Sequence, residues 1–145
     1  MKIKKLLFAS ALLFSAYNAS AQTQVIAHRG FWKTEGSAQN SIAALLKADS
    51  IGCYGSEFDV WLAADDQLVV NHDPTFKGKR MENSPSTALT AIKLDNGESL
   101  PTLAKYLKAA QPLHTRLILE LKAHSTPLRL SLIHISEPTR LLSIS

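Results

Sequence analysis

Short apolar runs alternate with amphipathic stretches along this chain. Runs at residues 24–27, 56–62 and 116–122 predict three strands, and apolar positions at helical spacing predict helices near residues 41–51 and 101–110. Strands that alternate with helices in this way are typical of an α/β fold with parallel strands. The side chains predicted to face the core from the first helix are Ile42, Leu45, Leu46 and Ala48.

Two further segments lie between these elements. Residues 67–71 form a short apolar run after a turn at residues 64–66, which predicts a hairpin with the end of the second strand. Residues 74–97 have weak periodicity and many turn residues, with a possible short helix at residues 89–92. Long excursions of this kind often form lids or substrate walls.

The N-terminus predicts export. A basic start, an apolar run at residues 6–16 and the small-x-small pattern at residues 19–21 predict a signal peptide over residues 1–21. The run is shorter than the roughly 20 residues that a membrane-spanning helix needs. We therefore expect a periplasmic or extracellular protein after cleavage, without stable membrane insertion.

The other end of the chain differs from the rest. Residues 130–140 resemble a sequencing adapter that has been translated in frame, so residues 130–145 are expected to be a non-native tail. Residues 22–129 then remain for the fold. Their 12 basic and 11 acidic side chains nearly balance, so charge does not indicate a nucleic-acid partner. Cys53 is the only cysteine, which excludes an internal disulfide.

Carboxylates occur where apolar side chains are expected. Glu57 and Asp59 are two residues apart on the second predicted strand, so they point to the same face. Glu120 interrupts the apolar run of the third strand, and such a misfit indicates a functional site. Three converging carboxylates repel one another unless a cation lies between them, and Mg²⁺ and Ca²⁺ prefer oxygen ligands. The alternative is that each carboxylate caps a loop or pairs with a surface cation.

Two histidines follow predicted strands. His28 comes directly after the first strand, and His72 comes after the hairpin strand. Catalytic residues of barrels and open α/β sheets lie where loops leave the C-terminal ends of strands. Two imidazoles beside a metal suit general acid and base catalysis, although either could be a hydrogen-bonded structural residue.

Two cations accompany these groups. Arg29 follows His28, and Lys122 lies two residues beyond Glu120 on the same strand face. Arginine binds phosphate oxygens at two points and lysine supplies a compact charge, so with a divalent cation they could clamp a phosphoryl group. A glycosidase would need two free carboxylates and has no evident use for these basic groups.

The order and spacing of four motifs resemble the glycerophosphodiester phosphodiesterase family. That family has His-Arg-Gly after the first strand, Glu-x-Asp on the second, His-Asp downstream and Glu-x-Lys on the third. The first helix of this chain begins with Gln39-Asn40-Ser41, where the family often has Glu-Asn-Thr or Glu-Asn-Ser. The four motifs are His28-Arg29-Gly30, Glu57-Phe58-Asp59, His72-Asp73 and Glu120-Leu121-Lys122.

The resemblance implies a fold, a reaction and a set of roles. The fold would be the first part of a TIM-type (β/α)8 barrel of the phospholipase C-like phosphodiesterase type, with residues 22–129 as a truncated domain. The reaction would be metal-dependent hydrolysis of glycerophosphodiesters, which are small molecules, to glycerol phosphate and an alcohol. The roles would be acid–base catalysis by His28 and His72, phosphate binding by Arg29 and Lys122, and Ca²⁺ or Mg²⁺ binding by Glu57, Asp59 and Glu120.

Two alternatives remain open. One is a barrel phospholipase that acts on phosphatidylinositol or sphingomyelin, for which Phe31 and Trp32 could form an apolar wall, although packing of both side chains under the loop is favoured. The other is a non-catalytic, phosphodiester-binding barrel fragment. Because barrel closure needs eight strands and about 250 residues, we expect this chain alone to expose a sheet edge and to have little or no activity.

Overall fold

The computed structural model describes residues 23–125, so the predicted signal peptide and the predicted non-native tail lie outside the described residues. Strands and helices occur in the predicted order, and the α/β class is confirmed. A short 3₁₀ turn, Met81–Asn83, links the fifth strand to the second helix. The elements are β1 (Ile26–Ala27), α1 (Ile42–Ser50), β2 (Gly55–Leu62), β3 (Leu68–Val70), β4 (Thr75–Phe76), β5 (Lys79–Arg80), α2 (Ser86–Thr90), α3 (Leu103–Ala110) and β6 (Arg116–Leu121).

Strand β2 is the centre of the main sheet. It pairs in parallel with β1 at its start and with β6 along most of its length. Strand β3 pairs antiparallel with its last three residues, which confirms the predicted hairpin. Since each strand has only two edges, β1 and β3 share the edge of β2 that faces away from β6. The carboxyl ends of β1, β2 and β6 therefore meet at one end of the sheet.

Alternation along β2 separates apolar from charged side chains. Phe58 and Val60 are buried in a cluster with Leu45 of α1 and Tyr106 of α3. The rings of Phe58 and Tyr106 stack with their centroids 4.7 Å apart, a spacing typical of favourable aromatic pairs. The other face of β2 presents Glu57, Asp59 and Trp61, because side chains alternate along a strand.

Helix α1 begins as predicted but buries a different stripe. The Ser41 hydroxyl accepts a hydrogen bond from the N–H of Ala44, which caps the helix. Gly52, with φ of 72°, follows the last turn and ends it. The prediction that Leu46 faces the core is wrong, because Leu46 is exposed while the smaller Ala44 is fully buried.

The excursion after β3 packs against the sheet. It contains the β4–β5 hairpin, the 3₁₀ turn and α2, which lies at residues 86–90 rather than at the predicted residues 89–92. The helix begins early because the Asp65 carboxylate accepts hydrogen bonds from both the N–H and the hydroxyl of Ser86. Met81 and Leu89 are buried in a second cluster with Trp61. Between residues 23 and 125, no helix has the length and apolar character needed to cross a membrane.

Candidate active site

The three predicted metal-ligating carboxylates come together at one end of the sheet. Asp59 on β2 and Glu120 on β6 are direct cross-strand partners, and Glu57 lies two residues before Asp59 on the same face. One oxygen from each carboxylate lies within 4.8 Å of the other two. Their exposure differs sharply, since the side chain of Asp59 is 0% exposed and that of Glu120 is 55% exposed.

Glu57 is held in a partly buried position. Its Oε2 accepts a hydrogen bond of 2.9 Å from the main-chain N–H of Arg29. Burial raises the pKa of the Glu57 carboxyl, the Arg29 N–H opposes this shift, and the charge of Asp59 adds to it. Its other oxygen, Oε1, is buried and has no hydrogen-bond partner among the described residues. This carboxylate therefore keeps one unused acceptor beside two other carboxylates.

The loop after β1 is folded tightly against α1. Arg29 and Gly30 both have positive φ, of 59° and 74°, and a Cβ on Gly30 would lie 2.7 Å from the Cβ of Ala44. Only glycine fits that contact and adopts that φ without strain. His28, with an exposed side chain, has its Nε2 3.9 Å from Oε2 of Glu57. The turn thus directs His28 and Arg29 to the carboxylates.

The segment before α1 also contacts this group. The Arg29 Nη1 donates to Oε1 of Gln39 at 2.6 Å, so a neutral amide orients the guanidinium. Asn40 is buried, and its side chain bonds with both the main chain and the carboxylate of Asp59. Asn40 was missed as a site residue, because next to Ser41 it has the sequence signature of a helix cap.

Lys122 lies among the carboxylates. Its Nζ is 2.7 Å from Oδ1 of Asp59 and 2.6 Å from Oε1 of Glu120. Burial alone would lower the pKa of the Lys122 ammonium, but its hydrogen bonds and ion pairs with Asp59 and Glu120 outweigh burial and raise it. Lys122 is therefore a charged group at the site, as a phosphate-binding role requires.

His72 lies in a cleft beside this cluster. The cleft has a volume of about 460 Å³ and is lined by residues that include Gln39, Asn40 and His72. The His72 ring pairs with Asp73, with Nδ1 2.7 Å from Oδ1, rather than with the three carboxylates. Its main-chain carbonyl accepts a hydrogen bond from the Trp61 indole. His72 is thus fixed at the cleft wall, whereas His28 approaches the carboxylates directly.

The donor set suits a hard divalent cation. All three converging groups are carboxylates, which are the ligands that Ca²⁺ and Mg²⁺ prefer. The unpartnered Oε1 of Glu57 is a buried acceptor that such a cation would satisfy. Arg29 and Lys122 neutralise only part of the acidic charge, and both can donate to phosphate oxygens.

Comparisons with known proteins point to one kind of enzyme. No family model matches the chain. A curated relative, a glycerophosphodiester phosphodiesterase from Caldanaerobacter subterraneus subsp. tengcongensis, is 48% identical over 54 residues, which are 37% of this chain and 21% of the relative. The crystal structure of a glycerophosphodiester phosphodiesterase from Parabacteroides distasonis is 53% identical with a TM-score of 0.71. That match covers 77% of this chain and 50% of the solved one.

A more distant solved structure carries a ligand. A phosphodiesterase from Oleispira antarctica, in complex with the product sn-glycerol-3-phosphate, is 31% identical with a TM-score of 0.59. The match covers 69% of this chain and 44% of that protein. The resemblance to glycerophosphodiester phosphodiesterases is confirmed, and the open α/β sheet is the first part of a TIM-type barrel. The chain spans about half the length of the solved relatives.

Proposed function

Because the described residues are homologous to glycerophosphodiester phosphodiesterases, we propose that the protein hydrolyses glycerophosphodiesters to glycerol phosphate and an alcohol. The observation that carries this proposal is the convergence of Glu57, Asp59 and Glu120 with two basic side chains beside them. A cluster of acidic ligands next to phosphate-binding cations suits metal-dependent phosphodiester hydrolysis.

Glu57, Asp59 and Glu120 would hold a single Ca²⁺ or Mg²⁺ ion. When bound, this cation would supply Lewis-acid chemistry, which lowers the pKa of an oxygen nucleophile and offsets charge on the phosphate. Arg29, oriented by Gln39, would donate to the phosphate oxygens, and Lys122 would supply a compact positive charge. These contacts would fix the phosphodiester in one orientation.

His28 and His72 would transfer the protons. His28 lies beside Glu57, where it can exchange a proton with an oxygen of the nucleophile or of the leaving alcohol next to the carboxylate cluster. The contact between His72 Nδ1 and Asp73 leaves Nε2 as the proton-exchanging nitrogen. One histidine would act as the base and the other would protonate the leaving alcohol.

The test uses two proteins, since the chain covers half of the Parabacteroides distasonis relative. One is the 145-residue chain, and the other is a fusion in which the C-terminal half of that relative follows residue 125, hereafter the completed fusion. We expect the completed fusion to release glycerol phosphate from glycerophosphocholine in Ca²⁺ or Mg²⁺, and the chain alone to release little. Binding of the diester in the presence of metal without turnover would contradict the enzyme and support a binding protein.

Histidine variants of the completed fusion test the proton-transfer roles. His28→Ala and His72→Ala should each lower kcat by about 10²- to 10⁴-fold, which is the usual contribution of a general acid or base. His114→Ala is the matched control, because His114 is exposed and is not one of the candidate site residues. This variant should retain full activity. Equal activity of all three variants would remove both histidines from the mechanism.

A phospholipase is a second candidate. Phe31, directly after the His28-Arg29-Gly30 turn, is 38% exposed, and Trp32 lines the cleft. Exposed aromatic side chains beside a site could enter a lipid surface. Faster hydrolysis of phosphatidylinositol or sphingomyelin in vesicles than of soluble glycerophosphodiesters, together with loss of that preference in Phe31→Ser, would favour this function.

Export is the remaining part of the proposal. The basic start, the apolar run and the small-x-small pattern of residues 1–21 support cleavage before Gln22. N-terminal sequencing of protein recovered from the periplasm or the medium should begin at Gln22. Recovery of only the uncleaved protein from the cytoplasm would contradict export.

A further inference from the structure

Asn40 makes two hydrogen bonds with Asp59 of the carboxylate cluster and one with the main chain of Arg29, although it is not itself a carboxylate or a cation. Its Nδ2 donates to Oδ2 of Asp59 at 2.8 Å, and its Oδ1 accepts from the main-chain N–H of Asp59 at 3.2 Å. Its own N–H donates to the carbonyl of Arg29 at 3.1 Å. The residue is 2% exposed, so these bonds form away from water.

The chemistry of these bonds requires asparagine. A carboxylate oxygen can only accept and a main-chain N–H can only donate, so the residue between them must have one donor and one acceptor side by side. Asn40 also has φ of 59°, a left-handed conformation that asparagine tolerates better than most other residues. Among the common side chains of this size, only the amide meets both conditions.

Asp59 needs such a partner. The terminal torsion of an aspartate is broad, so its own rotamer preference does not fix the plane of the carboxylate. Two bonds from Asn40, one to the carboxylate and one to the main chain of the same residue, close a ring that fixes this plane. Lys122 contacts the other oxygen, Oδ1, at 2.7 Å, and the Nε of Arg29 lies 3.9 Å from Oδ2.

We propose that Asn40 is a positioning residue that orients the Asp59 carboxylate for cation binding. This inference rests on the proposed function, since it takes Asp59 to be a ligand. The groups that orient metal ligands typically contribute 10- to 100-fold to metal affinity. The Asn40 side chain should therefore raise the affinity for Ca²⁺ or Mg²⁺ without contacting the ion.

Two substitutions isolate the side chain. Asn40→Gly keeps the N–H that bonds to Arg29 and readily adopts φ of 59°, so of the three hydrogen bonds it removes the two to Asp59. Asn40→Asp keeps the shape but replaces the donor with a second carboxylate oxygen facing Oδ2 of Asp59. On charge alone, Asn40→Asp would tighten cation binding, whereas loss of positioning would weaken it. Asn83→Gly, at an exposed asparagine outside the site, is the matched control.

The experiment is calorimetric titration of Ca²⁺ and Mg²⁺ into the 145-residue chain and the completed fusion, with the rise in Tm on metal addition as a second readout. We expect both Asn40 variants to bind metal at least about tenfold more weakly and to show a smaller metal-dependent rise in Tm, while Asn83→Gly behaves as wild type. A purely structural role would lower Tm equally with and without metal. That result, or tighter binding by Asn40→Asp, would overturn the inference.

The outcomes separate this inference from the proposed function. Absence of metal binding by the wild-type completed fusion would overturn both. Metal binding by the wild type that is unchanged in both Asn40 variants would overturn only the positioning role and leave the proposed hydrolysis intact. If Asn40→Gly does not fold in either protein, the nearly isosteric Asn40→Asp variant carries the test.

Discussion

Strands β2 and β6 are neighbours with similar patterns but very different surroundings. Each places apolar side chains on one face and carboxylates on the other, and Phe58 pairs with Leu119 just as Asp59 pairs with Glu120. Phe58 is 0% exposed, whereas Leu119 is 37% exposed. Strand β2 has strands on both edges and two helices against its apolar face, whereas among the described residues β6 has only β2 as a strand partner.

The alternation of apolar and charged positions therefore predicts which face of the strand a side chain lies on, but not how deeply that side chain is buried. The carboxylates of both strands lie at the same site, because the register of β2 against β6 makes Asp59 and Glu120 direct neighbours. The cost of changing them should differ, since the free energy that a side chain contributes depends on how fully it is removed from water. Paired substitutions on the two strands test this difference.

The largest effects are expected at the paired carboxylates. In the completed fusion, Asp59→Ala and Glu120→Ala should each lower kcat/KM by more than the roughly 100-fold that loss of an orienting residue costs. Asp59→Ala should also lower the free energy of unfolding by about 3 kcal/mol, because the buried Asn40 amide loses its acceptor and Lys122 loses its buried partner and keeps Glu120. Glu120→Ala should cost less than about 1 kcal/mol. Urea unfolding measures both losses of stability. Equal destabilisation by the two substitutions would contradict the difference in burial between β2 and β6.

Substitutions of the apolar pair, Phe58 and Leu119, should differ in their effect on the free energy of unfolding. Phe58→Ala removes a buried ring that stacks on Tyr106 and should cost about 3–5 kcal/mol. Leu119→Ala on the exposed face should cost less than about 1 kcal/mol in the 145-residue chain. If the relative's second half covers this face in the completed fusion, the cost of Leu119→Ala should rise there. A similar small cost in both proteins would show that the face stays exposed.

Glu82 binds Ser125, in the segment after β6, and this contact should make the stability depend on pH. Its carboxylate accepts hydrogen bonds from the Ser125 N–H and, on its other oxygen, pairs with Arg80, which lowers the pKa of Glu82 from the usual 4.5 to about 2. Because the folded-state pKa is lowered, this stabilisation is present above pH 4.5 and is lost as pH falls towards 2. Glu82→Gln should cost about 1–2 kcal/mol at pH 7 and almost nothing near pH 2. If Glu82→Gln lowers the free energy of unfolding equally at both pH values, the loss comes from packing and not from the charge of Glu82.

The smallest change in folding free energy is expected at Leu121. This side chain is 43% exposed on the outer face of β6, so Leu121→Lys should alter the free energy of unfolding by no more than about 0.5 kcal/mol. It should nevertheless reduce self-association of the 145-residue chain, since an exposed apolar strand next to a sheet edge promotes pairing between copies. Sedimentation of the wild type and of Leu121→Lys at several concentrations measures self-association. Unchanged association would show that a different surface mediates contact between copies.

Much of the fold and of the candidate site follows from local patterns. The period of two along β2 predicted that Phe58 and Val60 share a face, and the same period predicted that Glu57 and Asp59 share the opposite one. Glu120 predicted a candidate site because a carboxylate inside an apolar run costs free energy on burial unless it has a partner. The predicted faces of β2 are confirmed, because backbone geometry sets the direction of a side chain within a few residues, whereas the role of Glu120 stays a prediction.

Other features depended on residues far apart in the chain. Helix α2 starts at Ser86 because Asp65, 21 residues earlier, caps it, and Asn40 serves Asp59 rather than the helix beside it. Leu46 faces away from the core although its neighbours do not. The sequence by itself therefore determined the order of the elements, their faces and the identities of the charged groups. Only the tertiary structure decided burial, capping and the partner of each polar atom, because these depend on neighbours that the fold, and not the local sequence, brings into contact.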